Sequence, residues 1–342
     1  MKKIGVLTGG GDAPGLNAVL RAIVLKALGN YDVEVVGIRD GFGGFIEAGG
    51  TVALDRRSVR GLLWRGGSIL GCNNTYRGEP GLFVERMKEL GLGGLIVVGG
   101  DGSLSIGDAM VKLGASVVGV PKTIDNDVVG TDITFGFDSA LGVVTDACHR
   151  LIDTAEAHHR VMIVEVMGRH SGFIAMHGAV AGGADIALLP EIPYRVKNVA
   201  RVISERSSKG RTYTIIVASE GAAPDGGETV TREITGKTRL GGIGEVLAAQ
   251  LREAVPHEVR SLSLGHLQRG GPPTPFDRIL GTQMGTAAVQ ALMSGKTGVF
   301  TAWRNNAIAL TPISEAAGRN RLVSPDDPLL ASARAVGLAF GD

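Results

Sequence analysis

Two acidic turns carry the side chains with the clearest capacity for chemistry. The stretch PKTIDND at 121–127 holds two carboxylates, a hydroxyl and an ammonium, and it follows the apolar run 116–120. A second turn, GGDGS at 99–103, also follows an apolar run and carries Asp101. In open α/β sheets the loops beyond the carboxyl ends of parallel strands converge on one crevice, where ligands bind. The two turns therefore predict a ligand site at one edge of a sheet.

Asp101 and Asp125 form a pair of carboxylates suited to Mg²⁺-dependent phosphoryl transfer. One carboxylate can hold the metal, through water if necessary, because Mg²⁺ prefers hard oxygen ligands and keeps much of its hydration. The other carboxylate can accept a proton. Catalysis of phosphoryl transfer is mostly positioning and charge stabilisation, so positive groups should surround the transferred group. The candidates for that role are Lys122, Arg169 and the backbone amides near Gly10 and Gly102.

Each of these side chains also has a structural interpretation. An aspartate in such a turn often caps the following helix, as Asp101 would. A single arginine is usually a solvated surface charge. Arg169, however, directly follows a predicted strand, a methionine and a glycine, and Arg269 stands between a glutamine and paired glycines. Those settings favour anion contacts.

The N-terminal turn TGGGDAPG at 8–15 predicts a third loop suited to phosphate. It lies between the strand-like run 3–7 and a helical pattern of apolar residues at 16–27, which Pro14 can open. Unshielded backbone N–H groups and the helix N-terminus would attract an anion there. The spacing matches neither the dinucleotide fingerprint nor the Walker pattern, so an ordinary tight turn is the alternative interpretation.

The elements that must position these turns alternate between strands and helices. The 342 residues are 44% apolar, 20% charged and only 4% aromatic, which is typical of an aliphatic α/β core. The 53 glycines have no three-residue period, so they predict tight turns and close backbone approaches. The predicted strands are 3–7, 33–38, 95–98, 116–120, 161–166, 186–189 and 212–218, and the predicted helices are 16–27, 104–113, 139–157, 172–180, 196–209, 243–254 and 277–294.

This order of elements predicts an α/β fold of two Rossmann-like, three-layer αβα domains with mostly parallel sheets and a shared cleft. The length also favours two domains, each large enough for a core of its own. The polar segment 225–239 is predicted to be a surface excursion, and the residues from 310 onward show no clear pattern.

Charge and cysteine content narrow the classes of function. The formal net charge is +1, which predicts neither a nucleic-acid partner nor an anionic membrane surface. The N-terminus has no secretory pattern, and no apolar run reaches membrane-spanning length. Cys72 and Cys148 are too few for a disulfide framework and lack metal-ligand spacing, which fits a reducing cytoplasm.

The motifs together resemble those of the bacterial 6-phosphofructokinases, in order and in spacing, from about residue 3 to about residue 298. The segments that carry the resemblance are 8–15, 99–103, 121–127, 165–169 and 265–271. The resemblance implies phosphorylation of fructose 6-phosphate at its 1-hydroxyl, with Mg²⁺ and ATP, in glycolysis. It assigns residues 1–137 with 256–302 to a phosphoryl-donor domain, and residues 138–255 with 303–342 to a sugar-phosphate domain.

The resemblance also implies roles for individual residues. Asp125 would be the base that takes the hydroxyl proton, with Thr123 and Asp127 beside it, while Asp101 would serve Mg²⁺ and Arg169 would steady charge in the transition state. The implied sugar-phosphate ligands are Thr123, Asp125, Arg160, Met167, Gly168, Arg169, Glu220, Arg260, His266 and Arg269. The implied donor ligands are Gly10, Gly11, Asn74, Arg77, Gly100, Asp101, Gly102, Ser103 and Lys122. Arg160 and Arg260 would reach the sugar phosphate of a neighbouring subunit, which implies a homotetramer.

The sequence is compatible with two phosphoryl donors, ATP and pyrophosphate. In this family a small residue at the Gly102 position goes with ATP, whereas pyrophosphate-dependent members usually combine an aspartate there with a lysine at the Lys122 position. This chain has the glycine and the lysine, a pairing also found in an ATP-using branch, and we favour ATP. Asn74 replaces an arginine that many ATP-using members have, with Arg77 close by in the sequence. A kinase with another acceptor and a non-catalytic sugar-phosphate or nucleotide sensor are the remaining alternatives.

Regulation is expected to be weak or altered. Parts of the effector site of the allosteric members are matched by Arg21, Asp185, Lys209 and Arg211. Leu25 and Ile152 stand at two positions where those members have arginine.

Overall fold

A computed structural model describes residues 1–74, 78–234 and 237–342. Two compact units share the chain. The first comprises Met1–Ile124, Val128–Ser139 and Arg269–Asn320. The second comprises Asp125–Asp127, Ala140–Gln268 and Arg321–Asp342.

Strands and helices alternate along most of the chain. The strands are β1 (Lys3–Thr8), β2 (Glu34–Ile38), β3 (Thr51–Leu54), β4 (Gly94–Gly99), β5 (Val117–Pro121), β6 (Val161–Val166), β7 (Ile186–Leu188), β8 (Thr214–Ser219), β9 (Thr231–Ile234), β10 (Lys237–Leu240), β11 (Val259–Ser263), β12 (Val299–Arg304) and β13 (Ala307–Pro312). The helices are α1 (Leu16–Lys26), α2 (Pro80–Glu89), α3 (Asp101–Lys112), α4 (Phe137–His158), α5 (Phe173–Ala181), α6 (Val196–Ser208), α7 (Ile243–Ala254), α8 (Pro275–Met293), α9 (Ile313–Ala316) and α10 (Pro328–Ala335). In the part of the chain that the structure describes, no helix combines the length and apolar character needed to cross a bilayer.

The first unit is built on a seven-stranded sheet in the order β13-β12-β5-β4-β1-β2-β3. Its strands are parallel except at the two edges, where β3 and β13 run antiparallel to their neighbours. Because successive side chains of a strand point to opposite faces, Ile4 and Val6 of β1 join one core cluster with α1 and α8, whereas Leu7 joins another with α2 and α3. Helices therefore cover both faces of the sheet.

The second unit is built on a four-stranded parallel sheet in the order β11-β6-β8-β7. Val161 and Ile163 of β6 pack in one core with apolar residues of α6 and α7. The helices α4 and α5 approach each other closely, because a Cβ on Gly178 of α5 would lie 2.6 Å from a methyl carbon of Val144. The predicted α/β class with mostly parallel sheets is confirmed.

The observed units differ from the predicted domains mainly at two boundaries. The strand β11 pairs with β6, so the chain enters the first unit at Arg269 and not at 256. The strands β12 and β13 form a hairpin at the edge of the larger sheet, so the chain leaves the first unit after Asn320 and not after 302. Strand pairing across the sequence decides both boundaries, and local patterns do not reveal it. In addition, residues 125–127 fall in the second unit, and the preceding stretch of the first unit ends at Ser139 and not at 137.

The structure also adds order where the sequence predicts none. The polar segment 225–239, predicted to be a surface excursion, contains β9 and most of β10, which pair antiparallel. The residues beyond 310 complete β13 and form α9 and α10.

Candidate active site

Three loops of the first unit begin at the carboxyl ends of the neighbouring strands β1, β4 and β5. Thr8 of β1 lies opposite Val98 of β4, and Gly99 of β4 lies opposite Pro121 of β5. The sheet order also reverses between β1 and β4, since β2 lies on one side of this pair and β5 on the other. Such a reversal opens the crevice in which doubly wound sheets bind ligands. The expectation that both acidic turns start at one edge of a sheet is confirmed.

Close packing makes glycine necessary where two of these loops meet. A Cβ on Gly9 or on Gly99 would overlap the side chain of Ser103, which is buried in the first turn of α3. The amide of Gly9 donates to the carbonyl oxygen of Val98 at 2.9 Å. Larger residues at either glycine would push α3 away from the ends of β1 and β4.

Two cations contact the backbone of the N-terminal glycine loop. The side chain of Lys122 is 3% exposed, and its ammonium donates to the carbonyl oxygen of Gly11. Arg269 donates through Nη1 to the carbonyl oxygen of Asp12 at 2.9 Å. Gly10 has a φ of +76°, in the left-handed region that favours glycine. The structure thus brings Lys122 and Arg269 to the loop that the sequence predicts as a phosphate cradle.

The turn at Asp101 is part of α3. Gly100 is the N-cap residue, so the interpretation of Asp101 as a cap is wrong, and its carboxylate lies in the first turn, where the helix dipole favours negative charge. Gly102 is exposed, and apart from its chain neighbours and the nearby backbone of α3, no heavy atom of the described residues lies within 4 Å of the position its Cβ would take. Asn74 is exposed, and Arg77 lies outside the described residues.

The donor set fits Mg²⁺ only with help from water and substrate. Within residues 1–74, 78–234 and 237–342, no three His, Cys, Asp or Glu side chains are grouped to hold a metal ion. Mg²⁺ commonly binds to one or two carboxylates together with water and substrate phosphates. The single carboxylate of Asp101, beside glycine-rich backbone, fits that mode of binding.

The segment 125–127 belongs to the second unit, where hydrogen bonds hold it on both sides. Ser171 donates its hydroxyl to the carbonyl oxygen of Asp125 at 3.2 Å, and the amide of Arg321 donates to the carbonyl oxygen of Asp127 at 2.7 Å. Asn126 between them has a φ of +55°. In the first unit, the carbonyl oxygen of Thr123 accepts from Thr134 at 2.8 Å.

The loop that carries Arg169 is supported by the end of β8. The carbonyl oxygen of Gly168 accepts from the Ser219 hydroxyl at 2.5 Å and from the amide of Gly221 at 3.2 Å. Gly168 has a φ of +130°, and a Cβ there would lie 2.7 Å from the Ser219 Oγ. Arg169, which follows Gly168, is exposed. Backbone packing thus presents the arginine to solvent.

A cavity of ≈ 270 Å³ in the second unit gathers three of the predicted sugar-phosphate ligands. Its lining includes Met167, Glu220, His266 and the buried Glu165. The carboxylate of Glu165 accepts from the amide of Gly242 at 3.0 Å and from the amide of Gly244, in the first turn of α7, at 2.9 Å. A carboxylate there compensates the positive end of that helix.

Arg160 and Arg260 are held together by Glu258. Arg160 donates through Nε at 2.6 Å, and Arg260 donates through Nε at 2.7 Å to the other carboxylate oxygen. Hydrogen bonds from Arg160 first and then from Arg260 lower the pKa of Glu258. The structure therefore pairs the two arginines that the sequence assigns to one shared role.

The residues matched to the effector site lie in both units. Arg21 lies on α1 of the first unit, while Asp185 lies in the second. One oxygen of Asp185 accepts from the amide of Ile215 at 2.8 Å, and the other pairs with Arg206 at 2.7 Å. Lys209 is exposed after α6, as is Arg211.

Several polar residues that support these loops were not predicted from the sequence. Gln268 is fully buried and joins two motifs, because its Oε1 accepts from the amide of Met167 at 3.3 Å and its Nε2 donates to Gly265 at 3.1 Å. Glu165 and Gln268 lie in the segments 165–169 and 265–271, so their position in these motifs could have indicated a supporting role. Ser171 and Asp277 had no comparable signal.

Comparison with known proteins places the whole chain. The sequence profile of the family described as Phosphofructokinase matches residues 3–292. A relative from Chloroflexus aurantiacus, called "ATP-dependent 6-phosphofructokinase", is 48% identical over 353 residues, covering 100% of this chain and 98% of the relative. Another from Streptomyces coelicolor, called "Pyrophosphate--fructose 6-phosphate 1-phosphotransferase", is 44% identical over 348 residues, covering 99% of this chain and 100% of the relative.

A solved structure shares the fold. The crystal structure of Pichia pastoris phosphofructokinase in the T-state superposes with a TM-score of 0.83 at 30% sequence identity and covers 98% of this chain. The present chain spans 36% of that longer protein. The profile match, the full-length relatives and the shared fold agree with the strand-end loops described above, and the chain belongs to the phosphofructokinase family.

Proposed function

We propose that this protein is an ATP-dependent 6-phosphofructokinase of glycolysis, which converts fructose 6-phosphate and ATP to fructose 1,6-bisphosphate and ADP. The observation that carries the proposal is the 48% identity, along the full chain, to the Chloroflexus aurantiacus relative of that name. The glycine loops at neighbouring strand ends support it, because phosphate groups bind well to exposed backbone amides and helix N-termini.

In the proposed mechanism Asp125 takes the proton from the sugar 1-hydroxyl as that oxygen attacks the terminal phosphorus of ATP. The bond from this phosphorus to the bridging oxygen breaks, and ADP leaves with the electron pair. Arg169 stabilises the charge of the transition state, and Thr123 and Asp127 assist beside the base. Asp101 would hold Mg²⁺, which would supply charge neutralisation on the phosphates when bound.

The two substrates use different sets of residues. We assign fructose 6-phosphate to Thr123, Asp125, Arg160, Met167, Gly168, Arg169, Glu220, Arg260, His266 and Arg269. We assign the donor to Gly10, Gly11, Asn74, Arg77, Gly100, Asp101, Gly102, Ser103 and Lys122. The cavity lined by Met167, Glu220 and His266 supports the first assignment, and the packing of the glycine loops supports the second.

Pyrophosphate is the second candidate donor, since the Streptomyces coelicolor relative is called a pyrophosphate enzyme and Lys122 fits that class. The test measures formation of fructose 1,6-bisphosphate with ATP and with pyrophosphate at matched Mg²⁺. Turnover with pyrophosphate and none with ATP would make the first choice wrong. A Gly102→Asp variant should lose ATP use, because the open space beside Gly102 would receive a carboxylate that repels a nucleotide phosphate.

Asp125→Asn tests the mechanism. Loss of the base should lower kcat by about 10²–10⁴-fold and leave the KM for fructose 6-phosphate nearly unchanged. Unchanged turnover would remove Asp125 from this role. Binding of fructose 6-phosphate by calorimetry without turnover in the wild-type protein would favour the sensor instead.

We further propose a cytoplasmic homotetramer in which Arg160 and Arg260 act on the sugar phosphate of a neighbouring subunit. The pairing of both arginines on Glu258 supports a joint role. Light scattering after gel filtration gives the assembly state, and a monomer with full activity would contradict the proposal. We also expect weak or altered effector control, because Leu25 and Ile152 stand where the allosteric members have arginine.

A further inference from the structure

Four separate segments of the second unit are joined around residues 125–127. The first is that segment itself, the second is Ser171 with Gly172, the third is Glu191 after β7, and the fourth is the C-terminal stretch 321–323. Hydrogen bonds connect each of them to the next, although they are far apart in the sequence. The C-terminal stretch lies beyond residues 3–292, which the family profile matches.

Two of these bonds fix the backbone of the segment directly. Ser171, which is 1% exposed, donates to the carbonyl oxygen of Asp125, and the amide of Arg321 donates to the carbonyl oxygen of Asp127. These carbonyls belong to the peptide planes on either side of Asn126 and Asp127. The peptide plane that follows the Asp125 Cα is therefore held by Ser171, the plane that follows Asp127 is held by Arg321, and Asn126 between them is in the left-handed region.

Glu191 ties the two donors to each other. Its Oε1 accepts from the amide of Gly172 at 2.9 Å and from the amide of Val323 at 2.8 Å. One carboxylate oxygen therefore fixes the neighbour of Ser171 and a residue two positions after Arg321. Burial raises the pKa of Glu191.

Packing strengthens the same connection. The guanidinium carbon of Arg321 lies 4.4 Å from the centre of the Phe173 ring, which begins α5. Val323 is 4% exposed. A Cβ on Gly172 would lie 2.7 Å from Oε2 of Glu191, so this glycine permits the close approach of the carboxylate. The stretch 321–323 is thus held by its side chains as well as by its amides.

We propose that Ser171 and Glu191 are positioning residues of the reaction, which hold residues 125–127, together with the stretch 321–323, in the conformation that turnover requires. This inference rests on the proposed function of Asp125 as the base. A base must stand within hydrogen-bond reach of its proton, and small displacements of reacting groups cost large factors in rate. The stretch 321–323 therefore contributes to catalysis by holding the backbone of residues 125–127.

The kinetic test compares Ser171→Ala, Glu191→Ala and Glu191→Gln with Ser324→Ala. Removing one hydrogen bond costs about 0.5–1.5 kcal/mol, so Ser171→Ala should lower kcat by about 2–10-fold while the KM values stay within about twofold. Glu191→Ala removes the acceptor of two amides and should lower kcat further. Glu191→Gln keeps an acceptor oxygen and should restore most of the rate. Ser324→Ala is the matched control, because Ser324 is exposed and its hydroxyl accepts from the amide of Asp326 within its own turn.

A second measurement does not depend on activity. Deuterium uptake by the peptide that covers 123–128 should rise in Ser171→Ala and in Glu191→Ala, and should stay at the wild-type level in Glu191→Gln and Ser324→Ala. Unchanged deuterium uptake in both alanine variants would show that Ser171 and Glu191 do not hold residues 125–127. Raised uptake with unchanged kcat in an active enzyme would overturn the positioning role. A wild-type protein without phosphotransferase activity would refute the proposed function, and the uptake data would still decide on the connection. If Glu191→Ala does not fold, Ser171→Ala decides both points.

Discussion

Replacing Asp277 with asparagine should remove a pH-dependent component of stability from the first unit. Asp277 lies in the first turn of α8 and is fully buried, and its Oδ2 accepts from the amide of Ser139 at 2.8 Å and from the Ser139 hydroxyl at 2.6 Å. Burial raises the pKa of Asp277 from 3.8 to about 6, although the bonds from Ser139 act in the opposite direction. The carboxyl group thus joins the start of α8 to the start of α4.

The sign and size of the effect follow from proton linkage. The folded protein binds the Asp277 proton up to about pH 6, whereas the unfolded chain releases it near pH 3.8. This contribution to the free energy of unfolding is therefore fully present below pH 3.8 and is lost as the pH rises to about 6. A difference of about two pKa units corresponds to about 3 kcal/mol.

The assay measures urea unfolding of the wild type and of Asp277→Asn between pH 4 and pH 7.5. Asparagine stays neutral, so the difference in unfolding free energy between the two proteins should change by about 2 kcal/mol over this interval, in favour of the variant at the higher pH. Titrating groups that do not interact with Asp277 cancel in that difference, whereas the charge of Asp138 acts on Asp277 and contributes to it. Asp153→Asn, at an exposed position of α4, is the control and should show no such change. A wild-type-minus-variant difference that is independent of pH would refute the reasoning.

Two further substitutions probe the loops of the second unit. Glu165→Ala removes the acceptor of the Gly242 amide and should lower the free energy of unfolding by about 1–3 kcal/mol. The KM for fructose 6-phosphate should also rise. Thermal unfolding measures the first effect, and an unchanged melting temperature would contradict it. Gly168→Ala places a methyl group 2.7 Å from the Ser171 carbonyl oxygen at a φ of +130°, and should cost about 1–3 kcal/mol. Gly183→Ala is its control, because φ is also positive there and the surrounding space is open. If both variants lose the same free energy of unfolding, the close contact of the new methyl group at residue 168 has no effect on stability.

Local patterns predicted the regular elements well. The strand predicted at 161–166 is β6, and the helix predicted at 243–254 is α7, with the same ends. The helix predicted from 104 begins at Asp101, because the glycine turn itself supplies the first helical residues. Periodicity did not reveal the β9–β10 pair, since short polar strands carry no alternation that differs from a loop. The antiparallel edge strands β3 and β13 were also missed, because short apolar runs do not by themselves indicate a strand.

Pairing between segments that are far apart in the sequence could not be predicted from local residue patterns. The predicted boundary at 256 failed to anticipate that β11 joins β6, and the tail beyond 310 gave no sign that Arg321 would bond to Asp127. A backbone amide has no sequence signature. The domain boundaries and the support of the segment 125–127 both depend on such contacts.

The amino-acid sequence by itself determined the alternation of strands and helices, the glycine turns and the family, because these depend on residue types at short spacing. Only the tertiary structure decided which polar groups support the loops. Asp277 and Ser139 are 138 positions apart, and Ser171 and Asp125 are 46 apart. Their hydrogen bonds exist because burial leaves a polar group few partners, and the packing of distant elements selects which partner that is.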